Sequence, residues 1–139
     1  MVHGTHNALP DKRNENILIY VNGELFPRNE AKISVFDSGY LVGDGIWEAL
    51  RLHDGVLVHL EEHLDRLWQG AATVGMDVGM TREELVEKIW MVLNANKMHN
   101  NVHCRFMLTR GIKKTPSQDP RLTISGPNFQ NPLKPTVND

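Results

Sequence analysis

The stretch "ISVFDSGYLVGDGIWEALRLHDGVLVHLEEHLDRL", Ile33–Leu67, decides how this chain is read, because one continuous segment packs together glycines, acids, aromatic residues and two arginines. Within it, Asp54-Gly55 separates two apolar runs. An Asp-Gly pair tolerates positive φ at both central positions of a type I′ turn, so residues 45–53 and 56–59 are predicted to form a hairpin. From Leu60 the patterning becomes helical: Leu60, Leu64, Leu67, Ala71 and Val74 recur at four- and three-residue spacing and lay one stripe along roughly four turns, with Gly75 as the stop.

Working outward, Asn22-Gly23 gives the same turn signal, and residues 17–21 and 24–27 are predicted to form a second hairpin, with "KISVF" as a strand between the two. Thr81 and Glu84 make a capping box for a helix that buries Leu85, Ile89, Val92 and Leu93 and ends at "KMHNN". "NVHCRFMLTRG" alternates Val102, Cys104, Phe106 and Leu108 with His103, Arg105, Met107 and Thr109, the pattern of a strand with one polar face, and "RLTIS" is a further strand. Residues 1–16 read as a flexible lead-in, 17–125 as the folded domain, and 126–139, rich in Pro and Asn, as a linker or the start of a further domain. Strands, two helices, then strands imply an α+β domain, a mainly antiparallel sheet with the helix pair packed on one face.

Composition narrows the function classes. The chain has 139 residues, 40% hydrophobic and 23% charged, which suits one soluble globular domain with a genuine core. Its 15 Lys and Arg against 17 Asp and Glu give a net charge of -2, so nothing in the balance recruits nucleic acid or an anionic membrane. A single cysteine, Cys104, excludes an intramolecular disulfide and a cysteine zinc cluster and fits the cytoplasm. No apolar run reaches the length of a membrane span.

Two short motifs invite chemistry and fail on context. "HLEEH", His59 to His63, matches H-x-x-E-H, but that zinc-peptidase pattern needs both histidines on one helical face, and His59 falls before the helix begins. "GDG" at Gly43–Gly45 could offer backbone N–H groups to an anion, but it extends to neither phosphate-loop pattern, and Asp44 would repel phosphate. A tight turn into the next strand explains these glycines better.

Taken together and in order, "SVFDSGYLVGDGIWEALR", "LEEHLDRL" and "RFMLTRG" closely resemble the N-terminal half of the fold-type IV pyridoxal-phosphate enzymes, the class IV aminotransferases, over about residues 17–125. That family includes branched-chain and D-amino acid aminotransferases and aminodeoxychorismate lyases. The resemblance implies pyridoxal phosphate as cofactor, amino acids and 2-oxo acids as substrates, and a homodimer or larger homo-oligomer. It assigns Arg66 to the cofactor phosphate; His63, Arg66 and Gly70 share a helix face away from the leucine stripe, which leaves a guanidinium free to grip a phosphate. Trp47 occupies the pocket-lining aromatic position, where relatives carry Phe or Tyr, and Val42 stands where branched-chain enzymes tend to have a Tyr. Arg105 matches an arginine near the substrate in branched-chain relatives, and Arg110 matches the arginine that D-amino acid enzymes use for the substrate carboxylate.

The same resemblance places the Schiff-base lysine in a larger C-terminal domain. The lysines at 12, 32, 88, 97, 113, 114 and 134 fit none of the family's lysine motif and read as solvent-facing charges. The expectation is therefore an N-terminal domain that supplies phosphate-binding and pocket residues without a catalytic lysine or a metal, and is inactive alone. The alternatives are an inactive binding or dimerisation module with the same fold, and a lyase-type elimination.

Overall fold

A computed structural model describes residues 10–114, with the backbone of two further short strands at 123–124 and 131–132. The expectations for residues 1–9 and for most of 115–139 lie outside the described residues. The elements are β1 (Leu18–Val21), β2 (Glu24–Pro27), α1 (Ser38–Val42), β3 (Gly45–His53), β4 (Val56–Val58), α2 (Leu60–Thr73), β5 (Met76–Asp77), α3 (Arg82–Ala95), β6 (Val102–Thr109), β7 (Ile112–Lys113), β8 (Thr123–Ile124) and β9 (Asn131–Pro132).

Both hairpins form at the turns read from the sequence, with Asn22 and Gly23 at φ 49 and 104 and Asp54 and Gly55 at φ 47 and 76. β3 is the centre of the larger sheet: it pairs antiparallel with β4 on one side and, over its first eight residues, with β6 on the other. The pairing is antiparallel throughout the described strands, but it divides into four small sheets, with β1–β2, β5–β9 and β7–β8 each separate from β4–β3–β6. Apart from β9, the segment 126–139 lies outside the described residues.

The two helices cover one face of β4–β3–β6. Leu64, Leu67 and Ala71 of α2 and Leu85, Ile89 and Leu93 of α3 close over Leu50, Leu52, Leu57 and Leu108 in one core. α3 starts on the capping box read from the sequence, with the Thr81 hydroxyl accepting from the Glu84 N–H and the Glu84 carboxylate accepting from the Thr81 N–H. Asn96 at its other end takes the place of a neighbouring strand for β1: its amide accepts from the Leu18 N–H and donates to the Leu18 carbonyl. Arg13, in a short 3-10 turn at Lys12–Asn14, donates to the carbonyls of Asn100 and Asn101.

One predicted strand is absent. "KISVF" turns instead of extending: the Phe36 N–H donates to the Ser34 hydroxyl, the Asp37 N–H to the Ser34 carbonyl, and Ile33, Val35 and Phe36 stay exposed. Serine and aspartate here offer the backbone local partners that compete with a sheet ladder. The turn ends in α1, which the sequence reading missed; Asp37 caps it by accepting from the Gly39 N–H, and Gly43, at φ 71, closes it in the left-handed conformation.

Gly45 opens β3 opposite Thr109, and a Cβ placed on it would stand 2.8 Å from the Leu108 carbonyl oxygen. That oxygen belongs to the backbone of the facing strand, so relief requires the strands to part. Gly45→Ala is expected to destabilise the fold by roughly 1–3 kcal/mol, measured as a lower urea midpoint at unchanged slope; an unchanged midpoint would show that the start of β3 yields freely.

Candidate functional site

The alternation of β3 sorts its side chains onto two faces. Leu50 and Leu52 point into the core, so Glu48, in phase with them, is carried to the helix side of the sheet and is only 3% exposed. A carboxylate there requires partners. α2 supplies them from the turn next to its leucine stripe: Arg66 donates to Glu48 through Nε to Oε1 and through Nη2 to Oε2 at 2.7 Å, and His63 Nδ1 lies 2.7 Å from Oε2. The Arg66 guanidinium lowers the Glu48 carboxyl to about 2 against the opposing effect of burial, and His63 adds to the lowering.

An ionised carboxylate only accepts, so the His63 proton of this pair resides on Nδ1, and Nε2 is left as the free ring nitrogen. The 3.2 Å approach of Arg66 Nη2 to His63 Nδ1 is then a contact between two donors to one carboxylate. The Arg66 side chain is 68% exposed in spite of its buried partner, and its Nη1 makes no hydrogen bond among the described residues. The result is a cation fixed on one edge and open on the other. Gly70, one turn on, faces Ile46 without crowding, since a Cβ there would meet its side chain at 3.7 Å.

Trp47 lies on the opposite face of β3, 55% exposed, directly across from Met107 of β6, which is 60% exposed. The Arg105 guanidinium sits 4.3 Å from the centre of the Trp47 ring, a cation–π stack that fixes the plane of the charge and leaves its edges open. The structure thus brings Trp47 and Arg105 together, and places Arg66 on the other side of the sheet. Val42 ends α1, half-buried, just before the Gly43 cap.

Arg110 occupies a different environment. It is 8% exposed, and its guanidinium donates to Asp44 at 2.7 Å, to the Gly75 carbonyl at 2.9 Å and to the Val74 carbonyl at 2.6 Å. It therefore joins the end of β6, the turn before β3 and the C-terminal end of α2. "GDG" is explained by the same contacts: Gly43 caps α1, Asp44 receives Arg110, and Gly45 lets β3 approach β6.

Two further sequence readings meet the structure here. His59 and His63 diverge: His59 is an exposed left-handed residue at φ 53 beside Glu62, while His63 turns to Glu48. Among the described residues, no group of three His, Cys, Asp or Glu side chains is arranged to hold a metal ion. Lys113, read as a solvent-facing loop charge, is instead 1% exposed, and its Nζ has no hydrogen-bond partner among the described residues. The cause is strand alternation, since Ile112 points outward from β7 and its neighbour inward.

The sequence reading did not single out Glu48. Its signal was present: an acid two residues before Leu50 in a period-2 run belongs on the buried face, where it needs a cation.

Comparison with known proteins places this site in context. A family model described as amino-transferase class IV matches residues 45–138, from the first residue of β3 onward. The chain is 44% identical over 113 residues to branched-chain-amino-acid aminotransferase-like protein 1 of Arabidopsis thaliana, covering 81% of this chain and 20% of that protein. It is 38% identical over 94 residues to D-alanine aminotransferase of Staphylococcus haemolyticus, covering 68% and 33%. Its fold is similar to that of a T.th. branched-chain amino acid aminotransferase complexed with N-(5'-phosphopyridoxyl)-L-glutamate, at a TM-score of 0.67 and 27% identity over 76% of this chain and 36% of the other. The chain spans between a fifth and a third of the length of these curated relatives.

Glu48 links this geometry to pH. Its carboxyl falls from an ordinary 4.5 to about 2 on folding, so the ionised pair stabilises the native state above about 4.5, and that contribution is lost as pH falls toward 2. The unfolding free energy of the native sequence is expected to converge on that of Glu48→Gln across this interval, followed by urea denaturation at successive pH values. A difference that stays constant with pH would show that the pair does not form.

Proposed function

The chain belongs to the class IV aminotransferases, and from that premise we propose that it carries phosphate-binding and substrate-facing residues of a pyridoxal-phosphate enzyme that moves an amino group between an amino acid and a 2-oxo acid. The observation that carries this reading is Arg66, exposed yet fixed by the buried Glu48 within the segment the family model matches.

The residues fit the cofactor's phosphate. A phosphate needs a cation whose N–H groups are oriented and reachable, and Arg66 offers an open edge including Nη1. Pyridoxal phosphate, when bound, supplies the electron sink for amino-group transfer. In this reading Arg66 holds the phosphate from the helix side of the sheet, while on the opposite face Arg105 offers a substrate carboxylate the edge left open by its stack with Trp47, and Trp47 and Val42 keep the pocket-lining roles that the family resemblance gives them. Arg110, with its donors directed at Asp44 and two carbonyls, acts as a clasp for the fold, in place of the carboxylate contact suggested by resemblance to D-amino acid enzymes.

Two variants separate these assignments. Arg66→Ala is expected to weaken retention of pyridoxal phosphate by about 1.5–3 kcal/mol, and to lower the urea midpoint as well, since it leaves the buried Glu48 carboxylate with His63 as its remaining side-chain partner among the described residues. Arg110→Ala is expected to lower stability by roughly 3 kcal/mol or more, since it leaves Asp44 and two carbonyls without their donor. Unchanged cofactor affinity in Arg66→Ala, or full stability in Arg110→Ala, would overturn the respective assignment.

The reading extends to assembly and location. Trp47, Met107, Tyr40, Val35 and Ile33 are each more than half exposed, and exposed apolar side chains of this size favour association. A homodimer or larger homo-oligomer is expected in light scattering over a dilution series; a stable 15.8 kDa monomer at high concentration would remove this part of the proposal. The single cysteine, half-buried with its thiol pushed up by burial, suits a reducing compartment, and the cytoplasm is the location proposed.

A further inference from the structure

Glu48 presents an electrostatic conflict. If Arg66 binds a phosphate, a carboxylate in contact with the same guanidinium cancels the charge that should attract it. By Coulomb's law alone, Glu48 opposes anion binding.

Geometry points the other way. An arginine on an exposed helix surface samples many rotamers, and an anion must select among them. Glu48 removes that freedom, because its two oxygens engage Nε and Nη2 together and its own position is fixed by burial among the core residues of β3. The same carboxylate fixes the His63 ring by accepting from Nδ1, which leaves the Nε2 edge and the Arg66 Nη1 edge free of hydrogen bonds to the described residues.

We propose that Glu48 is a positioning residue: its buried carboxylate holds the Arg66 guanidinium in one orientation, so that a phosphate meets a preformed donor edge, and it holds His63 as the Nδ1–H tautomer alongside. The proposal rests on the reading of Arg66 as the phosphate ligand. Orientation outweighs the cancelled charge because the Arg66 side chain is exposed although Glu48 is buried, so water screens the field at the guanidinium's open edge, whereas the hydrogen-bond geometry there is unaffected by screening.

The two effects have opposite signs, which makes the test direct. The native protein, Glu48→Gln, Glu48→Asp and Arg66→Ala are titrated with pyridoxal 5'-phosphate, with pyridoxal as the phosphate-free control. Positioning requires both Glu48 variants to weaken pyridoxal 5'-phosphate binding by roughly tenfold or more with pyridoxal binding unchanged. Charge cancellation requires Glu48→Gln to bind the phosphate ligand more tightly, which would overturn the proposal. Nitrogen NMR of the native protein gives a readout independent of any variant's folding: His63 is expected as the Nδ1–H form, and an Nε2–H form would also overturn the proposal. A phosphate preference lost in Arg66→Ala but kept in both Glu48 variants would remove the role of Glu48 alone. Equal affinity of the native protein for the two aldehydes would remove the phosphate reading itself.

Discussion

The antiparallel pairing of β3 with strands on both sides is the constraint on which the rest of the structure depends. A strand locked between β4 and β6 cannot slip by one residue without turning its whole hydrophobic set outward. Because Leu50 and Leu52 must face the helices, Glu48 is carried to the same side and Trp47 to the other. The core thus determines which functional group appears on which face. A buried acid follows from a buried leucine two residues away, and the aromatic follows from both.

Arg110 extends that constraint to the ends of the sheet. It sits where β6 finishes, and its donors reach both the turn that starts β3 and the carbonyls of Val74, the C-cap of α2, and Gly75 beyond it. Carbonyls at a helix C-terminus lack partners within the helix and carry the negative end of its dipole, so a buried cation there satisfies two needs at once. This clasp holds α2 against the strand that bears Glu48, which keeps Arg66 within reach of its partner. Gly45 serves the same arrangement from the other side, allowing β3 to approach β6 where a side chain would meet backbone.

What the sequence made legible was local. Asn22-Gly23 and Asp54-Gly55 specify their hairpins through positive φ, Thr81 and Glu84 specify a helix start through reciprocal hydrogen bonds, and the leucine spacing identifies the inner face of α2. The motifs around Arg66 also led to the family. "KISVF" misled because strand propensity does not report whether a neighbouring edge exists, and α1 is too short for periodicity to reveal, although Asp37 and Gly43 mark its two ends. Two of the partners of Arg110 lie 35 and 36 residues away in sequence and are carbonyls, which no residue type encodes, and the third, Asp44, lies 66 residues away. Lys113 is hidden by the same kind of long-range effect: nothing in "GIKKT" distinguishes its buried lysine from the exposed one that follows.

Arg66, Arg105 and Arg110 share one chemistry, and their surroundings give it three different uses. Arg110 is buried with its donors engaged, so it contributes cohesion and has little left for a ligand. Arg105 is exposed and restrained by an aromatic plane, which orients its charge while its N–H edges make no hydrogen bond among the described residues. Arg66 lies between these limits, exposed along one edge and tied along the other by a carboxylate that cannot move. Ordering a free arginine side chain costs about 2 kcal/mol. Where that ordering occurs during folding, as the contacts of Glu48 with Arg66 imply, less of it remains to be done on binding, and a single exposed cation can bind an anion more tightly than its net charge would suggest.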